Sequence, residues 1–328
     1  MTLHRSCLLL ACTLGACARQ APAPVSPPEP VVEAIEYTPV PEGMFAAALE
    51  PGAGLRPIAQ RVIIVSEDGM RPDALRVAHT PTHTRLMREG AWSLNARTIR
   101  QASTLPAHAA MLSGYDVMEH GLSWNSWHPE RGFIRVPTVF TAVAGAGGQG
   151  SAAFVGKQKL EHIVRPGSVD VFERPGYFCR KVVEQAAAYF VTKRPQIEFV
   201  HFSDPDDRGH SSGWMSPQMI AAVGESDRCL GELIDAVVAA GLEDETLIIV
   251  SADHGGHGHN HSGYGHEEDR LIPWIAWGAG VKPGHHIKGV VNTVDTAATA
   301  LWALGHAAPR GLVGRPVAEA FVASDGAR

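Results

Sequence analysis

Three short apolar runs, Arg61–Ser66, Ile197–Phe202 and Leu247–Val250, each lead within a few residues to an acidic side chain: Asp68, Asp206 and Asp253. Runs of this length, rich in Ile, Val and Phe, are the mark of strands buried on both faces. Strand and helix signals alternate from Arg61 onward without an internal repeat. That pattern predicts an α/β fold with a mostly parallel central sheet and helices on both faces. Open parallel sheets bind ligands at the carboxyl ends of their strands, so acids delivered there organise the reading of the rest. Asp206 and His210 stand four residues apart, and one helical turn would put them on the same side.

Further elements follow from local signals. Ala91–Arg100, Ser151–Val155 and Ile272–Trp277 read as strands. Cys179–Val191, Pro217–Ala240 and Thr293–Leu304 read as helices, and Pro137–Val143 as a shorter one. A short helix is expected from Thr104, with Thr104 as its N-cap, Pro106 just inside and Gly114 as its stop. The loop after Leu247–Val250 carries His254, His257, His259, His261 and His266, five of the 17 histidines in a chain with only 5 tyrosines. A cluster of histidines in one Gly-rich loop points to metal more than to pH sensing. A net charge of −6, with no basic stripe, argues against a nucleic-acid partner.

Each of these residues has a plain structural role open to it. Asp68 could start a turn before Gly69, Asp206 and Thr104 could cap helices, and the histidines could solvate a loop. What the plain roles leave unexplained is the set of spaced segments. These are Asp68-Gly69-Met70-Arg71-Pro72-Asp73, Thr104-Leu105-Pro106-Ala107-His108, Met118–Asn125, Asp206-Asp207-Arg208-Gly209-His210 and Asp253-His254-Gly255-Gly256. Ile272-Pro273-Trp274 and Trp277–Gly280 follow them. In this order, from about Arg61 to Phe321, they resemble the alkaline phosphatase superfamily, specifically its type I phosphodiesterase and nucleotide pyrophosphatase branch.

The resemblance implies an alkaline-phosphatase-like fold and two divalent metal ions, zinc first and manganese second given the imidazole-rich donor set. One ion would be held by Asp68, Thr104, Asp253 and His254. The other would be held by Asp206, His210 and a third histidine, for which His261 is chosen over His266 and His259. Thr104 would be the nucleophile of a phosphothreonine mechanism, with Ser103 as the rival hydroxyl. Asn125 would bind a phosphoryl oxygen. The threonine hydroxyl needs metal activation to act at neutral pH. Lys157 and Lys159 are either solvated lysines or ligands for a second anionic group on the substrate, since related phosphonate hydrolases carry a similar Lys-x-Lys. The implied activity is phosphodiester or pyrophosphate hydrolysis on a small phosphoester. A phosphomonoesterase, a phosphonate hydrolase or a non-catalytic zinc-binding lipoprotein are the alternatives.

The N-terminus reads as an address. Arg5 precedes the apolar stretch Cys7–Leu14, too short to span a bilayer, and Leu14-Gly15-Ala16-Cys17 resembles a lipobox. Residues 1–16 are therefore expected to be a lipoprotein signal and 17–58 a Pro/Ala-rich tether bearing lipid on Cys17. Residues 59–325 are expected to be the hydrolase domain, held at the periplasmic face of a membrane. Cys179 and Cys229 remain in that domain, and either a disulfide or two free thiols suits them.

Overall fold

The computed structural model describes residues 57–261 and 265–322. Cys17, the signal and nearly all of the tether lie outside them. Eight strands form one sheet in the order β4-β3-β5-β1-β6-β7-β2-β8. They are β1 (Arg61–Glu67), β2 (Ala91–Arg97), β3 (Ser151–Val155), β4 (Val171–Glu173), β5 (Ile197–Phe202), β6 (Thr246–Ser251), β7 (Leu271–Gly278) and β8 (His285–His286). All pairs are parallel except those β7 makes with β6 and β2. β1 lies at the centre, with β5 and β6 on either side in register (Val65 opposite Val200 and Val250).

Alternate residues of these strands feed two cores. Val62, Ile64, Phe199 and Ile249 pack on one face with Phe140 and Leu301. Ile63, Val65, Val200 and Ile248 pack on the other with Val183, Phe190, Leu230 and Ile234. Helices Val139–Gly145 and Asp295–Ala303 supply the first layer. Helices Cys179–Lys193 and Pro217–Ala239 supply the second. A sheet covered on both sides explains why its strands read as unbroken apolar runs. Cys179 and Cys229 form a disulfide that staples these last two helices across 50 residues of sequence.

Several boundaries differ from expectation. β2 ends at Arg97, not Arg100, because Arg97 and Thr98 turn to pair with Val291 and Arg270. Thr104 is the first residue of its helix, and Ser103 is the N-cap. The helix does end at Gly114, whose φ of 77° is the left-handed conformation glycine accepts without strain.

Two buried ionisable groups lie on the second face. His83 is fully buried between Glu67 (Nε2 to Oε2, 2.7 Å) and Asp227 (Nδ1 to Oδ1, 2.7 Å). Burial pulls its pKa down, but the two carboxylates outweigh it and push the value up to about 9. Folded imidazole therefore holds its proton more tightly than unfolded imidazole near 6.5. The resulting stability is complete below about pH 6.5 and disappears as pH rises through about 9. Denaturant melts from pH 6 to 10 are expected to show a loss on the order of 3 kcal/mol that His83→Gln lacks. A pH profile unchanged by that substitution would exclude the network as its source.

Glu198 on β5 is buried with neither carboxyl oxygen partnered among the described residues, and burial raises its pKa well above the ordinary range. The unfolded carboxyl ionises freely at neutral pH and the folded one does not, so Glu198 destabilises increasingly as pH rises. Glu198→Leu is expected to gain about 1–3 kcal/mol at pH 8, and less at pH 5, in paired thermal melts.

Candidate active site

The carboxyl ends of β5, β1 and β6 open toward one crevice, and three backbone devices bring their acids together. The Asp206 amide donates to the Asp68 carbonyl (2.9 Å). The Gly69 amide donates to Asp253 Oδ1 (3.1 Å). Gly69 itself sits at φ 73°, and a Cβ there would lie 3.0 Å from Asp206 Cα. Glycine is thus required both by its backbone angle and by the close approach of the second acid.

Four atoms converge without hydrogen-bond partners among the described residues: Asp68 Oδ1, Asp206 Oδ1, Asp253 Oδ2 and His254 Nε2. His254 Nε2 lies 3.2 Å from Asp253 Oδ2, 3.5 Å from Asp68 Oδ1 and 3.9 Å from Asp206 Oδ1. All four residues are buried. Buried carboxylates facing one another with unused lone pairs are costly unless a cation joins them, and three acids plus imidazoles are donors that divalent metals take. Asp68, Asp253 and His254 form one group able to hold an ion, and Asp206, His254 and His261 form another. His210 Nε2 approaches Asp206 Oδ1 at 3.3 Å from the next helical turn.

Of the candidate third histidines, the structure brings His261 to this cluster. It is buried, stacks on His254 at 3.7 Å, and donates from Nδ1 to the Ala102 carbonyl (2.6 Å), which turns Nε2 toward Asp206. His259 binds the His210 carbonyl instead, and His266 stacks on His257 away from the acids. Only part of the histidine-rich loop therefore faces the centre.

Thr104 starts its helix at the edge of the cluster and lines a cavity of about 630 Å³, whereas Ser103 does not. The cavity continues past Asn125, Lys157, Lys159, Arg174 and Tyr177. Asn125 Oδ1 accepts from the Leu105 amide (2.9 Å) and from Lys159 Nζ (3.1 Å). Two donors on one atom fix it as the oxygen, which leaves the Asn125 amide group as a donor.

Lys157 is not a solvated lysine. It is 6% exposed, and its ammonium sits 2.7 Å from Asp68 Oδ2 and 2.5 Å from Asp206 Oδ2. Burial works against its charge, but Asp68, Asp206 and Asp253 prevail and raise its pKa. Burial likewise pushes Asp68 up, yet Lys157, His201 and His254 hold its carboxyl well below the ordinary range. Burial and the charge on Asp68 push Asp206 up, and Lys157, His210 and His254 reverse that. Lys159, half-buried beside Lys157, has its pKa lowered by burial and by that neighbouring charge.

Two residues escaped the sequence reading. His201 Nε2 binds Asp68 Oδ2 at 2.9 Å. His108 donates from Nδ1 to the Thr104 carbonyl (2.8 Å) and meets Ser66 Oγ at 2.8 Å through Nε2, with Asp253 Oδ2 3.3 Å from Nδ1. His201 holds Asp68 through Oδ2 and leaves Oδ1 unpartnered among the described residues, while His108 ties the start of the Thr104 helix to Ser66 on β1. The signal for His201 was a single imidazole inside a buried strand, β5, whose only other polar residue is Glu198.

The family description for type I phosphodiesterase / nucleotide pyrophosphatase matches residues 62–145 and 149–278. The chain belongs to the type I phosphodiesterase/nucleotide pyrophosphatase family. It is 26% identical over 230 residues to human ectonucleotide pyrophosphatase/phosphodiesterase family member 5, covering 65% of this chain and 48% of that protein. To human family member 7 it is 24% identical over 238 residues, covering 64% and 52%. This family member thus spans about half the length of these curated relatives. The fold is shared with murine ectonucleotide pyrophosphatase/phosphodiesterase 5 (TM-score 0.64, 17% identity, 76% of this chain and 96% of that one). It is shared also with a phosphonate monoester hydrolase from Silicibacter pomeroyi (TM-score 0.62, 16% identity, 82% and 78%).

Proposed function

We propose that this protein is a two-metal phosphoester hydrolase acting on phosphodiesters or pyrophosphates through a phosphothreonine. The observation that carries the reading is the convergence of four unpartnered ligand atoms, on Asp68, Asp206, Asp253 and His254, beside a threonine that opens a helix onto a cavity. Asp68, Thr104, Asp253 and His254 would hold one ion, and Asp206, His210 and His261 the other. Zinc is preferred for its match to imidazole and carboxylate donors, with manganese next. When bound, such ions lower the pKa of a hydroxyl or water and neutralise a phosphoryl group.

The remaining work belongs to this chain's own side chains. Thr104 Oγ1 gives up its proton and attacks phosphorus, the Oγ1–P bond forms, the bond to the leaving oxygen breaks, and that oxygen departs with a proton in place of phosphorus. Water then cleaves the Oγ1–P bond, releasing the phosphoryl product and restoring the hydroxyl. The helix N-terminus under Thr104 favours the developing negative charge. The Asn125 amide donates to a non-bridging oxygen. Lys157 balances the charge of Asp68 and Asp206.

A phosphonate or other substrate with a second anionic group is the second reading, favoured by Lys159 and Arg174 along the same cavity. Residues 1–16 as signal, lipid on Cys17 and a 17–58 tether would place the 59–325 domain at the periplasmic face of a membrane. The Cys179–Cys229 bridge supports an oxidising compartment.

The test is turnover of p-nitrophenyl thymidine phosphate, p-nitrophenyl phosphate and phosphonoacetate by the purified protein with added zinc or manganese. The diester is expected to be the best substrate. Absence of metal-dependent turnover across the panel would sink the proposal.

A further inference from the structure

The largest cavity among those described, about 720 Å³, is separate from the metal cluster and lies beside β2 and β8. Its size is that of a site for a small organic ligand. Arg100, Arg270 and Arg315 line it. Arg270 Nε is buried with no hydrogen-bond partner among the described residues, and Nη2 makes only a long bond to the Thr98 carbonyl (3.4 Å). The Arg315 guanidinium has no hydrogen-bond or ion-pair partner among them. A buried guanidinium N–H without an acceptor is expensive, and one facing a cavity is satisfied by what enters.

Acids also line this cavity, but they are already engaged. Asp295 accepts from the Asn292 and Arg315 amides (both 2.8 Å). Glu319 accepts from the Lys288 and Gly289 amides and meets His285. Asp116 accepts from the Val117 amide. Arg100 is engaged elsewhere, so among the described residues the open polar groups of the wall are the Arg270 and Arg315 guanidiniums and the unpartnered Thr98 hydroxyl.

The rest of the wall is apolar. Ile287 and Val291 are buried at its floor, while Val290 is 77% and Val313 51% exposed at its rim. Solvent-facing valines beside these two arginines make a surface with one apolar and one cationic part. We infer that this cavity binds an amphiphilic organic anion, its carboxylate or phosphate on Arg270 and Arg315 and its hydrocarbon body along Val290, Val291 and Val313. The inference is independent of the phosphoester reading.

Isothermal titration of the full chain with octanoate tests it, inorganic phosphate serving as the head-group-only competitor. Saturable binding at one site is expected, weakened at least tenfold in an Arg270→Met/Arg315→Met double variant. Val290→Glu, at an exposed position that tolerates substitution, is expected to weaken it at least tenfold as well. Phosphate is expected to compete at least tenfold more weakly than octanoate. Should the double variant fail to fold, Arg315→Met and Val290→Glu decide the matter. No saturable binding, or binding unchanged in those variants, overturns the site. Equal competition by phosphate overturns its apolar half.

Discussion

Thr104→Ala is expected to lower kcat for a diester substrate by about ten-thousand-fold or more, the scale seen when a nucleophile is removed from a site that otherwise stays assembled. Thr104 is 1% exposed at the first turn of a helix buried along its whole length. Losing its hydroxyl there leaves a small void and takes away no cap, because Ser103 holds the cap position. The melting temperature should therefore change little. Thr104→Ser keeps a hydroxyl at the same place and is expected to retain measurable turnover. Ser103→Ala is expected to stay near wild type, since Ser103 does not line the cavity. The reverse pattern, with Ser103→Ala inactive and Thr104→Ala active, would transfer the chemistry to Ser103.

The acids were legible because a buried strand that ends in a carboxylate is a pattern local to a few residues, and it occurs at β1, β5 and β6. Asp206 and His210 were legible as a pair because helical spacing alone relates them. Lys157 was not, because its place depends on β3 pairing with β5, which sets Val155 opposite His201 and aims the following lysine at Asp68. The antiparallel course of β7 was equally hidden. Its run Leu271–Gly278 is buried against β6 and β2, and burial on both faces looks the same whichever way a strand points. The choice of His261 over its neighbours rests on the resemblance of His261-Ser-Gly to the family's spacing, whereas the group that orients its ring, the Ala102 carbonyl, lies far away in sequence. Thr104 missed its cap assignment by one residue, a slip that local signals do not resolve.

Asp206→Asn is expected to cost one equivalent of bound metal and to reduce kcat/KM by about a thousand-fold or more, because a carboxamide supplies neither the charge nor the second oxygen of the carboxylate. Metal content by mass spectrometry separates this from simple unfolding: two equivalents in the wild type, one in the variant, with secondary structure unchanged by circular dichroism. Lys157 sharpens the expectation. Its ammonium lies between Asp68 and Asp206, so neutralising Asp206 removes one of the two carboxylates balancing a buried positive charge. A stability loss should therefore accompany the loss of metal, and Asp206→Asn combined with Lys157→Met should recover part of the stability without recovering turnover. If the single variant kept both metal equivalents and full activity, Asp206 would be a structural partner of Lys157 and the second ion would have to be sought elsewhere.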